Sequence, residues 1–101
     1  MLFMNIEMVA KALKELGHKT RLSIYKQVVK AGQQGISVGD IQEELSIPGS
    51  TLSHHISGLS QADLIHQRRE GRMLFCIANY QHLEDVIDFL KDECCVGDSI
   101  N

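Results

Sequence analysis

Two adjacent thiols, Cys94 and Cys95, carry the most reactive chemistry in this 101-residue chain. A disulfide between neighbours is strained, so the pair is a poor structural cross-link. As thiolates the two are soft donors suited to trivalent arsenic or antimony. On a helix their sulfurs diverge by roughly 100°, and a frayed helix end lets them converge. Cys94 also falls on an apolar stripe, where it can serve as a small hydrophobe. Cys76 alternates with Phe75 and Ile77 and reads as a packing residue. His82 and Asp85 lie one turn apart and offer half a metal site. No second histidine follows, and with Glu84 and Asp88 they read as a solvated acidic face.

A second group has no intrinsic reactivity but suits recognition. Ser50, Thr51, Ser53, His54, His55 and Ser57 interleave with Leu52, Ile56 and Leu59 at helical spacing. A helix that only had to stay soluble would use Glu and Lys. Short hydroxyls and imidazoles let a helix approach another surface closely, and they match the donors and acceptors of base edges in a DNA groove. Arg68, Arg69 and Arg72 flank Glu70-Gly71, where a tight turn would present them to phosphates or a narrow minor groove. The same residues also describe an ordinary solvated face. No Ser-His-acid or Cys-His spacing suggests catalysis, and no Gly-rich loop suggests nucleotide binding, so the chain does not read as an enzyme.

The elements that must hold these groups follow from periodicity. Ile6, Val9, Leu13 and Leu16 predict a helix over 5–16, ended by Gly17. Leu22, Tyr25, Val28 and Val29 predict a second, opening after Thr20 and closed by the Gly32–Gly35 loop. Ser37 is placed to cap a short helix through Leu45. A turn at Ser46-Ile47-Pro48-Gly49 leads into the hydroxyl-rich helix. Leu64–Arg69 and Met73–Ala78 read as two strands joined at Glu70-Gly71. Leu83, Val86, Ile87, Leu90 and Cys94 predict a last helix from Tyr80 to Cys95, with Gly97 as its stop. The order is helix, helix, short helix, turn, helix, hairpin, helix. It is a mainly α winged helix-turn-helix, one domain over 1–101 with a frayed tail from 96.

Charge supports this division. The net charge is −3, yet residues 1–31 carry +4, residues 46–72 carry +1, and residues 73–101 carry −5. A basic face is therefore compatible with an acidic total. No apolar run is long enough for a membrane span, and the N-terminus lacks the basic start of a signal peptide. Three cysteines cannot all pair, which points to a reducing cytoplasm.

Specific strings narrow the reading. Ala12 to Ile24, with Arg21-Leu22-Ser23-Ile24, resembles the opening of ArsR/SmtB-type repressors. Ser50-Thr51-Leu52-Ser53-His54-His55-Ile56-Ser57-Gly58-Leu59 is similar to their recognition helix. Ala62-Asp63-Leu64-Ile65 followed by Arg68-Arg69-Glu70-Gly71-Arg72 is similar to their wing. The resemblance spans about residues 10–95. It implies a homodimeric winged-helix repressor that binds a double-stranded operator and releases it when an inducer binds, and the apolar stripes of the first and last helices are expected to pair the two copies. No cofactor is required.

The resemblance also locates the inducer. Thiol sites before the recognition helix of such relatives fall here on Ser37 and Gly39, which cannot supply thiolates. A sulfide-type cysteine in the second helix falls at Tyr25 and Lys26. Some arsenic-responsive relatives carry a Cys-Cys pair where Cys94 and Cys95 stand. The expectation is thus an arsenic or antimony response through a two-thiol site at that pair, including a monosubstituted trivalent arsenical; Cys76 could add a third ligand only if the wing strand lies beside the end of the last helix. Asp92 and Glu93 are expected to raise the thiol pKa values. DNA contacts are assigned to Ser50, Thr51, Ser53 and His54 on the helix, and Arg68, Arg69 and Arg72 on the wing. Two alternatives stay open: a thiol-redox regulator, and a ligand-independent DNA-binding module.

Overall fold

The structure is a computed structural model that describes residues 4–98. Five helices and three strands follow in the order α1 (Ile6–Leu16), α2 (Lys19–Ala31), β1 (Ile36–Ser37), α3 (Val38–Leu45), α4 (Gly49–Gln61), β2 (Ile65–Glu70), β3 (Met73–Ala78) and α5 (Tyr80–Lys91). The expected fold class is present, with boundary differences that have physical causes.

Side chains start three of the helices. Asn5 Oδ1 accepts from Met8 N at 2.9 Å and caps α1. His18 Nδ1 accepts from Thr20 N at 3.2 Å, so α2 begins at Lys19, ahead of the expected start. Ser37 Oγ accepts from Asp40 N at 3.1 Å and caps α3 as the sequence suggested.

The hairpin is part of a three-stranded antiparallel sheet ordered β1-β3-β2. Its register runs from Ile65 opposite Ala78 to Glu70 opposite Met73, leaving Gly71 and Arg72 as a two-residue loop. Gly71 has φ +62°, as the first loop position of a type II′ turn requires. β1 adds only two pairs, Ile36 with Cys76 and Ser37 with Phe75. Gly35 makes that pairing possible. Its φ is +79°, and a Cβ there would lie 2.8 Å from the Cys76 carbonyl oxygen.

One buried cluster joins every layer: Val9 and Ala12 of α1, Ile24 and Val28 of α2, Ile41 of α3, Leu52 and Leu59 of α4, Cys76 of β3 and Val86 of α5. α4 is thereby fixed on its Leu52–Ile56–Leu59 side, which leaves the opposite side free. Outside the core, Ile6 is 68% exposed and Leu90 58%, with Leu13 and Ile87 also open, so α1 and α5 each present apolar surface to solvent. Among the described residues, no helix is long and apolar enough to cross a membrane.

The last helix differs most from expectation. It ends at Lys91, not Cys95, and a series of turns carries the chain on to Asp98. Glu93 and Cys95 have positive φ, +60° and +65°, which a right-handed helix cannot contain. Cys94 therefore leaves the apolar stripe and is exposed. The expected frayed tail is a turn at 96–98, closed by Asp98 N donating to the Cys95 carbonyl at 3.0 Å, and residues 99–101 lie outside the described ones.

Candidate nucleic-acid interface and thiol pair

α3, the turn at Ser46, and α4 form a helix-turn-helix. Ser46 takes a left-handed conformation, φ +52°, and Pro48 stands at the N-cap of α4. No side chain caps α4, so the N–H groups of its first turn remain available, a natural site for a phosphate. Ser50, Thr51, Ser53 and His54 are all exposed. Ser57 and Gln61 continue the same face, with Gln61 Nε2 donating to Ser57 Oγ at 3.4 Å. Helical spacing from His54 is the signal that finds them.

His55 has the opposite role. It is 7% exposed and sits on the inner side of α4. Its Nδ1 lies 3.4 Å from Arg21 Nη1. Arg21 is held by α1: its Nε donates to the Glu15 carbonyl at 2.8 Å and lies 3.1 Å from Glu15 Oε1. Burial, reinforced by His18, Arg21 and His54, pushes the His55 pKa down despite Glu15, so the ring is held neutral. Gly58 completes this seat, since a side chain there would collide with the Glu15 carboxylate.

The three wing arginines separate. Arg68 Nη2 donates to the Gln34 carbonyl at 2.9 Å, its guanidinium lies 5.1 Å from the Phe75 ring centroid, and its Nε is 2.6 Å from Glu70 Oε2. It braces the hairpin against the α2–β1 loop. Arg69 and Arg72 are exposed, and neither has an ion pair among the described residues. They border a cleft with Ser37, Val38 and Gly39 at the start of α3. A second cleft, about 400 Å³, separates α4 at Ser53 and Ser57 from the wing at Gln67 and Leu74. Exposed hydroxyls, an imidazole and two free guanidiniums thus line one helix and one hairpin tip.

The thiols lie elsewhere. Cys94 Sγ and Cys95 Sγ are 3.1 Å apart and exposed. The Cys95 thiol is pushed above the ordinary range by its hydrogen bond with Cys94, then by desolvation and a hydrogen bond to Asp98. Asp92 and Glu93, the acids expected to do this, are not the cause. Cys76 is fully buried on β3, and Gln67 Nε2 donates to its sulfur at 3.8 Å. No group of three or more His, Cys, Asp or Glu side chains placed for a metal occurs among the described residues. His82 is buried rather than part of an acidic face, and Asp85 accepts from Gln81 Nε2 at 2.9 Å. The reading of a solvated acidic face therefore fails at His82, while Glu84 and Asp88 are exposed and Asp85 is half-buried.

A helix-turn-helix domain family matches residues 16–68, the stretch from the end of α1 into the wing. The transcriptional repressor SdpR of Bacillus subtilis is 30% identical over 86 residues, covering 85% of this chain and 92% of that protein. An ArsR-like transcriptional regulator from Rhodococcus sp. RHA1 superposes with a TM-score of 0.78 at 18% identity, covering 91% of this chain and 84% of the other. The chain belongs to this helix-turn-helix family of transcriptional regulators, and its winged fold is that of ArsR-like regulators. Its relatives are regulators, not enzymes. A homodimeric winged helix-turn-helix DNA-binding domain from Mycobacterium bovis shares the fold as well, with a TM-score of 0.68 at 19% identity over 100% of this chain and 99% of the other. In this winged helix-turn-helix fold, α4 is the second helix of the helix-turn-helix and β2–β3 the wing.

Proposed function

We propose that this regulator is a homodimeric repressor that leaves its operator when a trivalent arsenical binds Cys94 and Cys95. The observation that carries the proposal is the pair of exposed sulfurs 3.1 Å apart on a turn beyond α5. A two-thiol site satisfies a monosubstituted trivalent arsenical, whose third position is carbon. Arsenite or antimonite would need water or hydroxide as a third ligand, since Cys76 is buried in the core. The exposed apolar residues of α1 and α5 support pairing of two copies through those helices. The thiols follow α5 directly, so a bound arsenical could alter the dimer geometry on which the spacing of two α4 helices depends. A coupling of about 1–3 kcal/mol corresponds to about a 5–150-fold loss of DNA affinity.

On DNA, Ser50, Thr51, Ser53 and His54 would read base edges in the major groove while Arg69 and Arg72 hold phosphates. The test is titration of a protein–operator complex with methylarsenite, arsenite and peroxide. Release by the arsenicals, lost in a Cys94→Ser/Cys95→Ser variant that still binds DNA, supports the proposal. Release by peroxide alone identifies a thiol-redox regulator. Release by none identifies a ligand-independent module.

A further inference from the structure

Two positions one turn apart on the inner side of α4, His55 and Gly58, are tied to the last turn of α1. Leu52, Ile56 and Leu59 hold α4 on the core, but apolar contacts are non-directional and do not by themselves fix its rotation. The polar contacts are directional. Arg21 Nε donates to the Glu15 carbonyl at 2.8 Å and lies 3.1 Å from Glu15 Oε1, while its Nη1 lies 3.4 Å from His55 Nδ1. Arginine has no acceptor, so Nδ1 of the neutral His55 ring receives that bond and the ring proton is on Nε2. One guanidinium of α2 thus joins the end of α1 to the middle of α4.

The second position is Gly58. A Cβ there would collide with Glu15 Oε1, the same oxygen that faces Arg21 Nε. The Glu15 carboxylate is thus wedged between a guanidinium and the backbone of α4. This is not an ordinary surface ion pair. The two side chains are only 17% and 18% exposed, so water and salt screen them less. Small rotations matter at this place. At the roughly 5–6 Å radius of a helix with its side chains, a rotation of about 10° moves a side-chain tip by about 1 Å. Distances of N–H···O bonds range over only about 0.5 Å. Exposed His54 and Ser57 each precede one of the anchored positions, so the anchors set where both side chains point.

We propose that Arg21 is a positioning residue: through Glu15 and His55 it fixes the angle of the DNA-reading helix α4 to the pairing helix α1, and so selects the spacing of the two operator half-sites. The proposal rests on the reading of α1 as a pairing helix and of α4 as the helix that enters the groove. α1 exposes Ile6 and Leu13, the surface through which two copies would meet. In a two-fold dimer the angle between α1 and α4 is repeated in both copies, so a change in it displaces the two α4 helices relative to each other twice over. A side chain on the inner side of α4 thereby decides which operators fit.

The test uses the intact protein with two duplexes. One is an operator selected by the wild type from a pool of random duplexes, and the other is the same operator with one base pair inserted between its half-sites. The insertion separates the half-sites by about 3.4 Å more and turns them by about 35°, without changing a base that α4 reads. The wild type should bind the inserted duplex at least about tenfold more weakly. Arg21→Lys keeps the charge and loses the planar fork, so it should bring that ratio below about threefold. Gly58→Ala displaces the Glu15 carboxylate, the end of a flexible side chain, so α4 still forms and the ratio should fall as well. The double variant should do no more than Arg21→Lys alone. Ser53→Ala should weaken binding to both duplexes and leave their ratio unchanged. A smaller folded fraction also weakens both alike, so the ratio separates positioning from stability. A wild-type ratio near one overturns the assignment of α1 and α4 and this proposal with it. A wild-type ratio that Arg21→Lys leaves intact overturns the proposal alone, as do additive losses in the double variant.

Discussion

The imidazole of His55 on α4 lies against that of His18 at the start of α2, with ring centroids 4.8 Å apart and planes inclined by 46°. His18 already spends Nδ1 on the N-terminus of α2, and His55 faces Arg21. The helix proposed to read DNA is thus seated on three potential cations, with Glu15 as the one carboxylate beside them. Protonation of His55 would set two donors, Arg21 Nη1 and His55 Nδ1, against each other.

Acid should therefore weaken the fold. His55 has a folded-state pKa below the ordinary 6.5, so the unfolded chain binds more protons between the two values. Its contribution to stability is fully present above about pH 6.5 and is lost as pH falls through that value toward the folded pKa. Urea denaturation at about pH 7.5 and about pH 5.5 should show the loss in the wild type and a smaller one in His55→Gln. Equal losses in both proteins would assign the acid sensitivity to another group.

Backbone strain predicts a contrast between two glycines. Gly32 and Gly35 both have φ near +80°, so alanine is strained at either. A Cβ at Gly32 meets nothing within 4 Å, whereas one at Gly35 meets both the Cys76 carbonyl and Ile77 Cγ1 at 2.8 Å. Gly35→Ala should cost about 2–3 kcal/mol and Gly32→Ala about 1 kcal/mol, read from denaturation midpoints.

Most of the architecture was legible because apolar residues recur at helical or alternating spacing over ten residues or so. Two-residue β1 was not, since its pairing with β3 is long-range and only Gly35 hints at it. The end of α5 was misplaced for the converse reason. Leu83, Val86, Ile87, Leu90 and Cys94 keep helical spacing, but no sequence rule reveals the positive φ of Glu93 and Cys95. In the site, one step of 100° separates exposed His54 from buried His55, and one strand position separates exposed Arg69 from Arg68, which is tied to Gln34. Residue type alone could not make either distinction. His82 escaped because its burial depends on tertiary structure.

The wing arginines should divide accordingly. Arg69→Ala or Arg72→Ala should weaken specific and non-specific DNA binding alike and flatten the salt slope by about one unit. Arg68→Ala removes a hydrogen bond to Gln34 and the contact with Phe75, so it should lower stability by about 1 kcal/mol. Ser53→Ala and His54→Ala should reduce specific binding preferentially, by about 1–3 kcal/mol each. Binding isotherms on operator and random duplexes at two salt concentrations separate these patterns. A salt slope unchanged by both Arg69→Ala and Arg72→Ala would remove the wing tip from the interface.

Assembly should depend on the exposed apolar residues of α1 and α5. Leu90→Glu and Ile6→Glu each place a charge where the free chain exposes 58% and 68% of the native residue. Folding of the protomer should survive, because neither residue belongs to the buried core. Sedimentation at micromolar concentration should show a wild-type dimer and variants shifted to monomer. A wild-type monomer would refute the assignment of these helices to pairing.

The thiol pair carries its own pH signature. Binding an arsenical requires each sulfur to give up its proton. The Cys95 thiol sits above the ordinary range because it bonds to Cys94, is partly desolvated and bonds to Asp98, so at neutral pH that thiol is held protonated. Affinity for methylarsenite should rise with pH and keep rising beyond the ordinary thiol pKa of about 8.5. Asp98→Asn removes a carboxylate and should move that rise to lower pH while leaving DNA binding intact. Cys76→Ser should change neither the affinity nor its pH dependence, since that thiol is fully buried in the core. Fluorescence or calorimetric titrations across the pH range give the curve. An affinity independent of pH, or one that Cys76→Ser abolishes, would place the arsenical on other atoms than the two sulfurs beyond α5.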